Sequence, residues 1–363
     1  MPTKAPLDHG FSLIVTRVDR LRHPLEEIHE FEAAIIAAGR WPLVFGPAPI
    51  PPLKIISRIV FAAGSLFDLV ARRLFSPKPP RNFVALGYIA KHHLIYRTFP
   101  YFSIPFGLRA LWMYDAWEGE LCRLEIFFRR HSINVLLVTS RQAADYFNQR
   151  NIPRFKAYWI PEAVTVSVYK TKPYSERTID VLQFGRRWDE YHTKIERFCC
   201  DRKLVYLYEK TKGEIIFPTR EDFLESLADS KISICVPSSI THPERSGKIA
   251  TLTWRYFQSM ASKCLILGRA PEEMRELFDY NPVIEIDLEN ATEQLDEVLA
   301  NFAKYVDLIE QNYSWVEKHH QWSNRTAQMD GYLREFVREQ NAATEDHRRM
   351  ELGRRRSRWN SER

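Results

Sequence analysis

Short runs of β-branched and aromatic residues alternate with amphipathic stretches along most of this chain. Phe11–Val15 (FSLIV) reads as a buried strand. Pro24 opens a helix on which Leu25, Ile28, Phe31, Ile35 and Ile36 recur near helical spacing, and Gly39 ends it as a left-handed cap. Pro47, Pro49, Pro51 and Pro52 mark an irregular connection. Strands follow at Phe83–Gly87, Leu111–Tyr114, Val135–Thr139 and Phe155–Trp159, with helices at Leu121–Arg130 and Ser140–Phe147 between them. Ser140 is the natural N-cap of the second helix, with Ala143, Ala144 and Phe147 behind it. This alternation predicts a mostly parallel sheet covered on both faces.

A second series begins after the polar, unpatterned stretch Thr165–Thr178. Its strands are expected at Ile179–Phe184, Leu204–Tyr208, Ile232–Val236, Cys264–Leu267 and Val283–Ile286. One intervening helix carries Tyr191, Ile195, Phe198 and Cys199 on a face; another starts at Arg220 with Thr219 as N-cap. Asn290, with Glu293 three residues on, opens a helix that puts Leu295, Val298, Leu299, Phe302, Val306 and Ile309 on one stripe. Two doubly wound α/β halves result, divided as 1–163, a linker 164–178, and 179–320. Residues 321–345 form a C-terminal helix, and 346–363 a basic tail expected to be disordered.

Charge sharpens this picture. Of the net +6, the segment His347–Arg363, with seven arginines and two glutamates, carries +5. A near-neutral body with a basic end argues against a nucleic-acid partner and leaves a solvated tail or contact with anionic lipid. Leu53–Phe75 is a long amphipathic segment with Lys54, Arg58, Arg72 and Arg73 near its ends; it fits either a helix covering the first sheet or one lying on a membrane surface. No run approaches the ~18 apolar residues of a spanning helix, and the N-terminus lacks an apolar signal core. Five cysteines without C-x-x-C spacing argue against a zinc site or a disulfide framework. The expectation is a cytoplasmic protein, with peripheral contact at the inner face of the membrane as an alternative to a solvated tail.

Candidate chemistry gathers in three places. Phe184-Gly185-Arg186-Arg187 ends a strand, with Lys194 on the helix that follows. Ligands of open α/β sheets sit at strand carboxyl ends; Gly185 permits close backbone approach, and Arg and Lys grip phosphate. Ser246–Gly268 reads as a polar loop, a helix Trp254–Ala261 and a buried strand, with Lys248, Thr251, Thr253 and Arg255 near the helix start, where unpaired N–H groups favour anions. Asp115 and Glu118 follow a strand in YDAWE, beside Trp112, Tyr114 and Trp117. A carboxylate there could take an acceptor's proton, while the aromatics stack on sugar rings; Asp115 fits a helix cap equally well. Glu162, after Pro161, fits either the cleft or a hinge. His92 and His93 are adjacent and do not share a face, and no D-x-D motif is present, so no metal is expected.

Asp180–Lys194 (DVLQFGRRWDEYHTK), then Leu252–Gly268 (LTWRYFQSMASKCLILG), PEEMRELF and a late HQWSNR resemble, in that order, the C-terminal half of GT-B glycosyltransferases. The similarity is to group-one transferases and their spore-maturation-type relatives, in which R-x-F-E-x-x-A-x-G occupies this helix. It covers Ile179–Arg325; the first half is similar in element order and in YDAW and WIPEAV. The resemblance implies two Rossmann-like domains facing a cleft, a nucleotide-diphosphate-sugar donor on the second, and a glycan or lipid-linked acceptor on the first. It implies that Arg186, Lys194 and Arg255 meet the diphosphate without a metal or other cofactor. Gln258 falls where the family has a Glu that bonds the ribose, and Ala250 where many retaining members carry another. These departures motivate the alternative of an inactive, carbohydrate-binding relative.

Overall fold

The structure, a computed structural model, describes residues 10–15, 26–39, 41–45, 82–88, 101, 107–185, 187–211, 214 and 216–361. The expected helix start at Pro24, the proline-rich connection at 47–52, Leu53–Phe75, His92, His93 and Arg186 lie outside the described residues.

The first sheet holds six parallel strands: β1 (Phe11–Val15), β2 (Leu43–Phe45), β3 (Asn82–Tyr88), β4 (Arg109–Tyr114), β5 (Val135–Val138) and β6 (Lys156–Trp159), in the order β2-β1-β3-β4-β5-β6. Helix α1 (Glu26–Ala38) packs Ile28, Phe31 and Ile35 on one face of this sheet. On the other face lie α2 (Leu121–Arg130), through Leu121, Leu124 and Phe128, and α3 (Arg141–Asn148), through Ala143, Ala144 and Phe147. Ser140 caps α3 by accepting from Ala143 N–H at 3.3 Å. Gly39 closes α1 with φ +66°.

The second sheet holds five parallel strands, β7 (Ile179–Gln183), β8 (Tyr206–Tyr208), β9 (Ser230–Cys235), β10 (Leu265–Gly268) and β11 (Ile284–Glu285), in the order β11-β10-β9-β7-β8. The helices of this half are α4 (Asp189–Asp201), α5 (Arg220–Ala228), the single turns α6 (Ser238–Thr241) and α7 (Pro243–Ser246), α8 (Trp254–Ala261), α9 (Met274–Leu277), α10 (Ala291–Ala300) and α11 (Val306–His319). Thr219 and Asp222 form a reciprocal capping box on α5. α8 buries Tyr256, Phe257, Met260 and Ala261 on one face of the sheet, and α4 and α10 cover the other with Tyr191, Ile195, Leu295 and Val298.

The structure departs from the sequence expectations in four places. β2 was not foreseen; it is a three-residue edge strand paired in register with β1. The stripe from Asn290 to Ile309 is not one helix: α10 stops at Ala300, a 3-10 turn spans Phe302–Tyr305, and α11 starts afresh. The stretch 164–178 is packed, with Val164, Val166 and Tyr169 buried in the core of the second lobe. The basic end is helical: α12 (Trp322–Ser361) runs through it, because the segment holds no proline and is rich in Arg, a good helix former.

α12 returns to the first lobe. Trp322, Met329, Leu333 and Phe336 enter its core beside α1. Trp322 stacks on Phe31 with centroids 4.7 Å apart and meets Trp112 edge-on at 5.8 Å. Farther along, Lys156 on β6 pairs with Glu335 and Glu339 at 2.8 Å each. From Asn341 to Asp346 the helix is exposed as it leaves the body. Among the described residues no helix is long and apolar enough to cross a membrane.

Candidate active site

The segments that follow β4, β5 and β6 meet the loop that precedes α8, so strand carboxyl ends of the first sheet face the second lobe, as open α/β sheets require of a ligand site. β7 ends in Phe184-Gly185, where Gly185 has φ +73°. Arg255, one residue into α8, lies across this turn: its Nη1 donates to the Phe184 carbonyl at 3.2 Å. A Cβ at position 185 would stand 3.3 Å from both Cδ and Nη1 of Arg255. The glycine therefore gives the guanidinium its place, both through its backbone conformation and through the side chain it lacks.

At the start of α8, Thr253 is extended and makes no side-chain cap. Its Oγ1, and Nε1 of Trp254, are buried without a hydrogen-bond partner among the described residues. Gln258 is buried and donates through Nε2 to the Tyr169 hydroxyl at 3.2 Å; that hydroxyl donates to Glu30 at 3.3 Å. Lys194 stands exposed on α4, with no ion pair among the described residues. Gly185 and Arg255 are thus brought into contact. Gln258 points into an interlobe hydrogen-bond chain, and Lys194 touches neither.

Asp115 closes β4 in the left-handed region, with φ 62°. It caps no helix: the 3-10 turn Glu118–Glu120 has Trp117 as its N-cap, and Asp115 Oδ2 instead pairs across the cleft with Arg245 Nη2 at 3.2 Å. Glu118 also crosses the cleft, accepting from the Lys248 N–H at 2.7 Å. Gly247 makes this possible, since a Cβ there would fall 2.0 Å from Glu118 Oε2.

Around Asp115 lies a set of buried carboxyl groups, of which the sequence reading named only Glu162. Glu27 and Glu30 lie on the inner face of α1, Glu162 follows β6, and Glu273 precedes α9; each is at most 7% exposed. Burial, followed by the charge of Asp115, pushes Glu162 up to about 8, although the Trp254 N–H and Arg255 favour its ionised form. Burial raises Glu27 well above the usual carboxylate range, with Glu162, Asp115 and Glu30 adding to the effect. Burial raises Glu30 as well, against the pull of Arg220. Glu30 is a hub: it accepts from Arg220 of the second lobe, from Thr165 N–H at 3.2 Å and from Trp322 Nε1 at 3.2 Å. The signal was present in EEIHEFE, which places Glu26, Glu27 and Glu30 at helical spacing directly behind the first strand.

The late HQWSNR segment ties the end of the first lobe to the second. Arg325 is buried, donates to the carbonyls of Pro161 and Glu162 at 2.9 and 3.3 Å, and bonds His320 Nδ1 at 2.8 Å. His320 Nε2 in turn donates to the Leu277 carbonyl at 3.1 Å.

The geometry is therefore an arginine across a glycine turn on one lobe, opposed by buried carboxyl groups on the other. Residues 171–331 match the model of the glycosyl transferase-like family. This region is similar to a glycosyltransferase-like domain. HepE from Anabaena, in complex with UDP and glucose, is similar over 90% of this chain and 100% of its own, with a TM-score of 0.55 and 9% identity. Sucrose-phosphate synthase from Thermosynechococcus elongatus is similar over 90% and 98%, with a TM-score of 0.55 and 12% identity. The HepE complex with UDP-glucose gives 0.55 at 8% identity over 90% and 99%. No curated protein matches the chain by sequence. These likenesses show the fold: two Rossmann-like halves of the GT-B type, the second of which contains the region that matches the family model. The Phe184–Gly185 turn, α8 and the HQWSNR segment all fall inside that region.

Proposed function

We propose that this chain transfers a sugar from a nucleotide-diphosphate-sugar, bound by the second lobe, to a glycan or lipid-linked acceptor on the first. The observation that carries this is the contact of Arg255 with the Phe184–Gly185 turn, which joins the two motif segments of the glycosyltransferase-like domain at one strand end. A guanidinium there stabilises the diphosphate as its charge grows. Thr253 and the start of α8 add dipoles of the right sign. In this reading Lys194, on α4, and Arg186 add cationic charge, and no metal is called for.

On the first lobe, Asp115 accepts the proton of the acceptor hydroxyl. The O–H bond breaks as the oxygen bonds the anomeric carbon, and the bond from that carbon to the phosphate oxygen breaks to release nucleoside diphosphate. That UDP occupies HepE supports UDP-sugars as the first donors to try. Thermal shift tests the donor reading: UDP or GDP raises the melting temperature of the wild-type chain, and Arg255→Ala removes most of the rise. No shift with either nucleotide counts against a nucleotide-sugar donor.

The engagement of Gln258 with Tyr169 favours one second reading, an inactive carbohydrate-binding relative, because the residue at the ribose-bonding position is already satisfied within the protein. Turnover separates the two readings. For the membrane contact, the arginine-rich end of α12 supports docking of a cytoplasmic enzyme on anionic lipid, where its acceptor resides. Sedimentation with phosphatidylglycerol vesicles tests this; deletion of 346–363 abolishes binding, and retained binding contradicts the reading.

A further inference from the structure

Residues Lys248 to Trp254 lead into α8 and lie against the first lobe. Alternate amides of this segment are held by side-chain oxygens. Lys248 N–H donates to Glu118 at 2.7 Å, Ala250 N–H to Gln142 Oε1 at 2.9 Å, and Leu252 N–H to Glu273 Oε2 at 2.9 Å. Gln142 also donates from Nε2 to the Lys248 carbonyl at 3.3 Å, so its amide pairs with the segment much as a neighbouring peptide would. Glu273 accepts with its other oxygen from the Arg141 N–H, at 2.7 Å, in the first turn of α3. The Thr251 hydroxyl is within 2.9 Å of Glu273 Oε2 and 3.3 Å of the Thr139 carbonyl.

We propose that this segment is a strap through which the first lobe sets the register of the donor-binding helix, and that Gln142 is a positioning residue for donor binding. The inference rests on the reading of the second lobe as the nucleotide-sugar site. α8 begins where the strap ends, and Arg255 is its second residue. Because alternate amides are fixed, the backbone that carries Arg255 is held beside the Phe184–Gly185 turn while the set is intact. Glu118 and Gln142 come from the first lobe and Glu273 from the second, so the complete set forms only when the lobes are docked. Donor binding and lobe docking are thereby one equilibrium: weakening the strap lowers the docked fraction, and apparent donor affinity falls with it.

Gln142 is the residue to change. It is exposed in the first turn of α3, whose buried residues are Ala143, Ala144 and Phe147, so truncation leaves the core in place. The experiment measures UDP and GDP binding by calorimetry, and the radius of gyration by small-angle scattering, on the full chain. For whichever nucleotide the wild type binds, Gln142→Ala is expected to weaken binding by about tenfold, the size of a modest shift in docked population, and to enlarge the radius of gyration. Gln142→Glu keeps the acceptor for Ala250 but loses the donor to Lys248, and falls between. Arg255→Ala weakens binding without changing the radius, which separates a lost contact from lost docking. Gln142→Ala with wild-type affinity, or with an unchanged radius of gyration, overturns the strap. If the wild type binds neither nucleotide, the donor reading fails, and the scattering comparison alone decides the strap.

Discussion

Arg255 occupies the space that a side chain at Gly185 would need: a Cβ there would approach its Cδ and Nη1 to 3.3 Å. Gly185→Ala therefore acts twice. It strains a backbone at φ +73°, at a cost of about 1–2 kcal/mol, and it displaces the guanidinium from the turn. The expected result is a rise in donor KM of about tenfold or more, read by steady-state kinetics with the donor varied, as befits loss of a charged contact. An unchanged donor KM contradicts the placement of the diphosphate at this turn.

Glu30 ties three parts of the chain together by accepting from Arg220, Thr165 and Trp322. Arg220→Met leaves a buried carboxylate without its cation and is expected to cost about 3–5 kcal/mol in chemical denaturation. Adding Glu30→Gln to that variant recovers a substantial part. A loss near the ~0–1 kcal/mol of a surface ion pair would place the pair outside the interlobe seam.

Glu162 makes stability depend on pH in a stated direction. Its folded-state value, about 8, lies above that of an unfolded glutamate, so the folded chain keeps a proton that the unfolded chain releases. The contribution is complete below pH ~4.3 and is lost as pH rises through the folded value. Glu27 and Glu273, raised chiefly by burial, act in the same sense. Glu162→Gln removes its part of the loss. The melting temperature of the variant relative to the wild type should climb between pH 5 and pH ~8.5, the window those values define. A difference that stays flat over this range contradicts the burial of Glu162 beside Asp115.

Much of the fold was legible because its signals are local. Val135–Val138 is an apolar run, Ile179–Gln183 carries Ile179, Val181 and Leu182 in a short β-rich stretch, and Ser140 and Thr219 cap the helices they precede. β2 was not legible: Leu43–Phe45 is too short for a pattern and exists by pairing with β1. The stripe from Leu295 to Ile309 kept its apolar spacing across the break after Ala300, so periodicity alone hid the 3-10 turn. The site divides in the same way. Gly185 and Arg255 each sit in a short motif. Glu27, Asp115 and Glu162 are far apart in sequence and converge through the fold of the first lobe, and Glu273 joins them from the second, which no window of residues can display.

Arg325 ties the end of the first lobe to His320, and burial lowers it to about 10. Its guanidinium reaches two carbonyls and one imidazole nitrogen at once, which an ammonium group cannot reproduce in the same plane. Arg325→Lys should lose about 2–4 kcal/mol by denaturation, the scale of a buried network left partly unpaired. A fully stable Lys variant contradicts the role of the fork.

The most direct measurement of the central claim is release of free nucleoside diphosphate from a panel of UDP- and GDP-sugars, in the presence of lipid-linked and soluble glycan acceptors. The wild type should turn over at least one donor. Arg255→Ala should slow it by about a hundredfold, the scale of removing one group that stabilises developing charge, and Asp115→Asn should slow it when the acceptor is saturating. A wild type that releases nucleotide from no donor, or an Arg255→Ala variant as active as the wild type, contradicts the account.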